Sequence, residues 1–146
     1  QAITVGFLLD TNVLSELMRQ NPNPLVTAWL DSQAINQLQT SAVSQAEILA
    51  GIAVMPVGNR REVLAKGADQ LFQQDFRGRC VVFGSAAAEQ FALVRAQRQR
   101  VGRPISTEDA QIAAIALAAN LKLVTRNTKD FEAIDGLQVI NPWQLH

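Results

Sequence analysis

Apolar and polar positions along the chain fall into blocks of two different periods. Ile3 to Leu9 is an apolar run of seven residues broken only by Thr4 and Gly6. Near-continuous hydrophobicity of that length predicts a strand covered on both faces. From Val13 the interval changes, and Val13, Leu14, Leu17 and Met18 recur at helical spacing. Asn21-Pro22-Asn23-Pro24 predicts a turn, and Leu25, Val26, Trp29 and Leu30 the apolar face of a second helix. Leu38 to Val43 reads as a strand, and Ala46, Leu49, Ala50 and Ala53 as a helix running up to Pro56. After the break at Val57-Gly58-Asn59, the apolar positions Val63, Leu64, Gly67, Leu71 and Phe72 predict a long amphipathic helix from Arg60 to Phe76. Gly67 weakens that helix by up to about 1 kcal/mol relative to Ala; close helix packing is the gain that would offset it. Cys80–Phe83 reads as a strand, Ala86–Val101 as a helix closed by Gly102 and Pro104, and Thr107–Asn120 as another helix. Leu121–Thr125 and Leu137–Ile140 complete the set of strands, the last running into Asn141-Pro142. Strands that alternate with helices predict an α/β fold, a parallel sheet with helices on both faces.

Composition narrows the class. A chain of 146 residues, 48% hydrophobic and 18% charged, is expected to form one well-cored domain spanning 1–146. Net charge is zero, so no whole-molecule field draws the chain to polyanions. The charge is unevenly placed: residues 1–59 hold one basic side chain, Arg19, against Asp10, Glu16, Asp31 and Glu47. Arg95, Arg98, Arg100 and Arg103 lie beyond, as a basic surface near an acidic site or as an ordinary solvated helix face. Cys80 is the only cysteine, which excludes an internal disulfide, predicts a buried strand thiol and suits a reducing compartment. The N-terminal residues lack the charge and apolar core of a signal peptide. No apolar run approaches the ~20 residues that span a bilayer, so a cytoplasmic protein without a membrane partner is expected. His146 is the only histidine, which argues against Ser-His or Cys-His catalysis and against histidine-bound zinc.

Three carboxylates carry the candidate chemistry. Asp10 follows the first strand, at the edge where open α/β sheets bind ligands. Asp10, Thr11 or Asn12 also suits the cap of the following helix. Ser44-Gln45-Ala46-Glu47 and Ser106-Thr107-Glu108-Asp109 each fit a capping box, with Ser as the cap and the acid bonding back. Yet Asp10, Glu47 and Asp109 fall at comparable edges of their α/β units. Converging charges ~4 Å apart would repel by about 4 kcal/mol at an effective dielectric near 20. A divalent cation relieves that repulsion, and hard oxygen ligands without His or Cys suit Mg²⁺ or Mn²⁺.

Four stretches in order resemble the motifs of PIN-domain proteins, of the VapC type found as toxins of bacterial toxin–antitoxin pairs. They are Leu8-Leu9-Asp10-Thr11-Asn12-Val13-Leu14-Ser15-Glu16, Ala46-Glu47-Ile48-Leu49-Ala50-Gly51-Ile52, Asp109-Ala110-Gln111-Ile112-Ala113-Ala114, and Val124-Thr125-Arg126-Asn127-Thr128-Lys129-Asp130-Phe131. Asn141-Pro142-Trp143 is similar to the ending of one subgroup. The resemblance implies a three-layer α/β/α sandwich and a Mg²⁺- or Mn²⁺-dependent endoribonuclease. Asp10, Glu47 and Asp109 would bind one or two ions. Many members carry an acid directly after the Thr-Arg pair, where this chain has Asn127. Asn127 can ligate through its carbonyl oxygen or a water, Asp130 can substitute as the fourth catalytic acid, or Asp130 can cap the short helix around Phe131. Thr11, Asn12, Ser44, Thr125 and Asn127 are candidates for orienting phosphate or water, and Arg126 is the nearest cation for a substrate phosphate. With no Tyr in the chain, base stacking is poorly supported.

The resemblance also implies an RNA substrate, a homodimer and a cognate antitoxin. Leu64, Leu71, Phe72 and Phe76, rimmed by Arg60, Arg61 and Lys66, either receive a partner helix or cover the chain's own sheet. Three other readings stay open. A phosphatase with Asp10 as nucleophile would want an acid where Asn12 stands. A structure-specific DNA nuclease would carry helical insertions. A non-catalytic module follows if Asn127 marks a decayed site.

Overall fold

The computed structural model describes residues 6–144. β1 (Gly6–Leu9) leads into α1 (Thr11–Leu17) and α2 (Pro24–Asp31). β2 (Leu38–Ser41), α3 (Ala42–Ala53) and α4 (Asn59–Asp69) follow, and α4 runs on into one π-helical turn, Gln70–Asp75. β3 (Cys80–Val81), α5 (Ser85–Arg100), α6 (Thr107–Ala118), β4 (Leu121–Val124), a 3₁₀ turn at Thr128–Phe131 and β5 (Val139–Ile140) complete the order. The five strands lie in the order β3-β2-β1-β4-β5, every pair parallel. The expected α/β class, a parallel sheet with helices on both faces, is what forms; the Ile3–Val5 part of the first strand lies outside the described residues.

Strand alternation divides the core. Successive side chains of a strand point to opposite faces. Phe7 and Leu9 therefore pack with Val13, Val26 and Leu71 on the α1, α2 and α4 side. Leu8 packs with Val94, Ile112 and Ile115 on the α5 and α6 side. Phe7 meets Trp29 edge-on, with ring centroids 5.0 Å apart. No helix among the described residues is long and apolar enough to cross a membrane.

Several boundaries differ from the periodic reading. β2 ends at Ser41 and α3 starts at Ala42, so Ser44 lies inside the helix. Ser41 is the cap: its backbone is extended, and its side chain accepts the Ser44 N–H at 3.0 Å. Ser41, not the expected Ser44, takes the cap, because β2 ends at Ser41. The strand expected over Cys80–Phe83 stops at Val81, because Phe83 turns away to pack edge-on against Phe91 at 5.9 Å. Cys80 is half-buried, with its thiol 3.5 Å from Gln45 Oε1.

The π turn decides the fate of the apolar face near residue 70. The Phe76 N–H bonds the Leu71 carbonyl at 2.9 Å, five residues back, and this wider turn carries Phe76 round to the side of Leu71 and Phe72. All three are buried in the chain's own core, so they cover its own sheet rather than await a partner. A Cβ at Gly67 would meet only Met18 Cε, at 3.7 Å, an ordinary contact, so close packing does not require glycine there. The basic stretch of α5 is partly structural: Arg98 is buried and donates to the Arg103 and Asp130 carbonyls at 2.7 and 2.8 Å.

Candidate active site

β2 and β3 lie on one side of β1 and β4 and β5 on the other. The chain therefore leaves the sheet in opposite directions at the β1–β4 boundary, the place where open α/β sheets leave a crevice. Asp10 follows β1 and Thr125 follows β4, so both face that crevice. Asp10 N–H bonds the Val124 carbonyl at 2.9 Å and Asp10 caps α1, its Oδ1 accepting the Thr11 N–H at 2.8 Å. The cap reading and the cleft reading of Asp10 are thus both true.

Hydrogen bonds stitch the two strand ends together. Thr125 is fully buried, and its hydroxyl donates to Asp10 Oδ2 at 2.7 Å. Thr125 Oγ1 in turn accepts from Asn12 Nδ2 and from the Asn127 N–H, each at 3.1 Å. A hydroxyl has one proton and two lone pairs, so Thr125 is saturated. Asn12 Nδ2 also reaches Asp10 Oδ2 at 3.4 Å, while Asn12 Oδ1 accepts the Arg126 N–H at 3.2 Å. Thr11 Oγ1 lies 3.0 Å from Glu47 Oε1 and 2.8 Å from Ser44 Oγ. A carboxylate only accepts, so the Thr11 proton goes to Glu47 and the Ser44 hydroxyl donates to Thr11. Ser44, expected to orient substrate or cap a helix, instead sits buried behind Thr11.

Asp10, Glu47 and Asp109 line one cleft of about 460 Å³, with Thr11, Asn12, Glu16, Arg19, Arg126, Asn127 and Trp143 on its walls. Asp109 is placed by α6, whose cap Ser106 accepts the Asp109 N–H at 3.2 Å, as the capping-box spacing predicts. Burial is the first cause that raises all three carboxyl pKa values. Mutual repulsion adds to it: Asp130 acts on Asp10, Glu108 and Asp10 on Glu47, and Asp10, Asp130 and Glu108 on Asp109. Bonds from Thr125 and Thr11 pull the other way at Asp10, as does Thr11 at Glu47 and Ser106 at Asp109. Among the described residues, no three acids, histidines or cysteines close into a ready metal cage. The donor chemistry nevertheless fits a hard divalent cation: every candidate ligand is a carboxylate oxygen, the cluster repels itself, and such ions keep several waters of their own.

Asn127 lies in the cleft, and Asp130, which is exposed, reaches it through its charge rather than as a wall. Sequence reasoning gave no role to Glu16, Glu108, Arg19 or Trp143. Glu16 is buried, accepting the Asn23 N–H at 2.8 Å and pairing with Arg19 at 3.2 Å. Glu108 shares a neighbouring hollow with Glu47. Glu16 stood inside a quoted motif; nothing local signals that Trp143 faces residues near position 126.

The PIN domain family model matches residues 7–137. The chain is 43% identical to the plasmid stability protein StbB of Pseudomonas syringae pv. tomato over 94% of this chain and 98% of that one. It is 39% identical to the VapC ribonuclease Y4jK of Sinorhizobium fredii, over 94% and 97%, and 38% identical to the toxin FitB of Neisseria gonorrhoeae, over 93% and 97%. The crystal structure of FitAcB from Neisseria gonorrhoeae superposes with a TM-score of 0.87 at 38% identity, covering 95% of this chain and 99% of that one. Motif order, fold and relatives agree, and the chain belongs to the PIN-domain family, among its VapC- and FitB-type ribonuclease toxins.

Proposed function

We propose that the protein is a Mg²⁺- or Mn²⁺-dependent endoribonuclease that hydrolyses RNA phosphodiester bonds as the toxin of a toxin–antitoxin pair in the cytoplasm. The observation that carries this reading is the convergence of Asp10, Glu47 and Asp109 on one cleft at the crevice of the sheet. Those three side chains would hold the cation. When bound, it supplies charge neutralisation at the phosphate oxygens and a water of lowered pKa. Thr125, Asn12 and the Thr11 N–H fix the Asp10 carboxylate. Thr11 orients Glu47. The proton of the attacking water would go to Asp109 or Glu47. Both are half-buried, and burial first raises their pKa values, which suits a base. Arg19 and Arg126 supply positive charge at the walls of an otherwise acidic cleft. Asn127 and Asp130 complete the candidate set, Asn127 in the wall and Asp130 as a nearby charge.

The phosphatase reading is disfavoured by Asn12, which stands where that chemistry would want a general acid. A cognate antitoxin and a homodimer belong to the proposal. The relatives' names as toxins support the first.

The test is cleavage of RNA, DNA and a chromogenic phosphate ester with and without Mn²⁺. RNA cleavage that needs the metal is expected, reduced roughly 100- to 1,000-fold in Asp10→Asn and Asp109→Asn with folding intact. RNA cleavage by Asp109→Asn at the wild-type rate, with stability lowered by about 1 kcal/mol, would leave Asp109 a helix cap. DNA or ester turnover alone would replace the reading.

A further inference from the structure

Arg126 is exposed and shares its cleft with Asp10, Glu16, Glu47 and Asp109, yet it forms no ion pair with any described carboxylate. Its guanidinium carbon lies instead over the Trp143 ring, 5.1 Å from the centroid. The platform is rigid. The Trp143 N–H bonds Asn141 Oδ1 at 2.9 Å, Pro142 is buried, and the indole packs on the core around β1. The Arg126 backbone is held as well, by Asn12 Oδ1. Only the arginine side chain has a choice of partner. Arginine and carboxylate otherwise form a strong, two-pronged pair, and such a pair here would occupy oxygens the cation needs. At a solvent-exposed site a cation–π contact and an ion pair have comparable strength, so the indole is enough to decide the competition.

We propose that Trp143 is a positioning residue that holds Arg126 off the metal-binding carboxylates and presents its guanidinium edge to a phosphate of the bound RNA strand. Stacking on the indole occupies one face of the guanidinium and leaves its N–H edge for phosphate oxygens. Without the platform the same arginine becomes an internal inhibitor of its own site. The inference rests on the ribonuclease reading for its RNA half; the metal half stands on the cleft alone.

The experiment measures Mn²⁺ affinity of the protein without RNA, and kcat and KM for RNA cleavage at saturating Mn²⁺. Trp143→Leu keeps apolar contact with the core and removes the ring. It is expected to weaken Mn²⁺ binding and raise KM, each roughly two- to five-fold, with kcat near wild type. Trp143→Phe keeps both near wild type. Adding Arg126→Ala to Trp143→Leu is expected to restore Mn²⁺ affinity while KM stays high, a rescue that a purely structural role would not produce. Unchanged Mn²⁺ affinity in Trp143→Leu, or no rescue by Arg126→Ala, overturns the proposal. If Trp143→Leu fails to fold, Arg126→Ala alone decides: KM should rise with Mn²⁺ affinity nearly unchanged. Mn²⁺ binding tighter by about tenfold or more would mean that the arginine already sits on the carboxylates. A wild-type protein that binds Mn²⁺ but leaves RNA intact would sink the ribonuclease reading, and the Mn²⁺ arm would still judge Trp143.

Discussion

The acidic cleft and the apolar groove share a wall. α1 contributes Thr11, Asn12, Ser15 and Glu16 to the cleft of about 460 Å³, and its end, Leu17 and Met18, to a groove of about 640 Å³. The larger hollow is therefore not the one that gathers Asp10, Glu47 and Asp109. At the strand ends under the cleft, polar atoms are committed: Thr125 uses its proton and both lone pairs, and Asn12 uses both ends of its amide. Around the groove, shape and apolar contact do the work, through side chains such as Leu30, Leu71 and Phe76. One region holds charges that oppose each other; the other stabilises the fold that forces those charges together. Stability and activity should therefore respond to different residues.

The largest expected effect on stability comes from the groove. Leu71 is 5% exposed and packed in the core, so Leu71→Ala should cost about 2–5 kcal/mol in chemical denaturation. RNA cleavage per folded molecule should stay near wild type. A loss of cleavage larger than the loss of folded protein would show that the two regions are coupled, and the contrast would fail.

Metal addition sharpens the contrast from the other side. Mn²⁺ at a hundred-fold excess over its Kd should stabilise the protein by about 2.7 kcal/mol. Leu71→Ala should gain the same increment, because its cleft is intact, and Asp10→Asn should gain none. Thermal melts with and without the ion read this directly; equal gains in wild type and Asp10→Asn would place the metal elsewhere.

The smallest effect is on pH. Burial first, then neighbouring negative charge, raises the folded pKa of Asp10, Glu47 and Asp109. Between the ordinary carboxylate range and the raised values, the folded chain binds more protons than the unfolded one. Unfolding free energy then falls as pH rises. The contribution of these groups is fully present below an ordinary carboxylate pKa of about 4 and is lost as pH climbs through their folded values. Metal-free wild type should therefore lose stability, relative to a variant carrying Asp10→Asn, Glu47→Gln and Asp109→Asn, as pH rises above about 4. A gain with rising pH relative to that variant would reverse the electrostatic picture of the cleft.

The α/β alternation was legible because two periods, near 2 and near 3.6, separate cleanly in an apolar-rich chain. The positions of Asp10 at a strand end and Asp109 in a helix's first turn were legible too, since each stands beside cap chemistry; Glu47, expected to open its helix, stands in the second turn of α3. What escaped was set by contacts distant in sequence. The choice between Ser41 and Ser44 as cap depended on where β2 stops pairing with β3. The burial of Phe76 depended on a π turn, which no three-to-four-residue pattern encodes. Arg98 looked like surface charge because its partners, the Arg103 and Asp130 carbonyls, are backbone atoms without a sequence signature. The same holds for Trp143: the aromatic that supports the cleft's arginine is apparent only when the end of β5 comes to rest beside the end of β4.

The Thr125 hydroxyl has a consequence for how the protein comes to life on the ribosome. It meets Asp10 across 115 positions of sequence, and β4, which carries it there, is the fourth of the five strands made. Until β4 docks beside β1, Asp10 and Asn12 lack the partner that orders them, and Asp109 has no crevice to face. The carboxylates that the proposed reaction needs are brought together only once Thr125, 115 positions after Asp10, has been made.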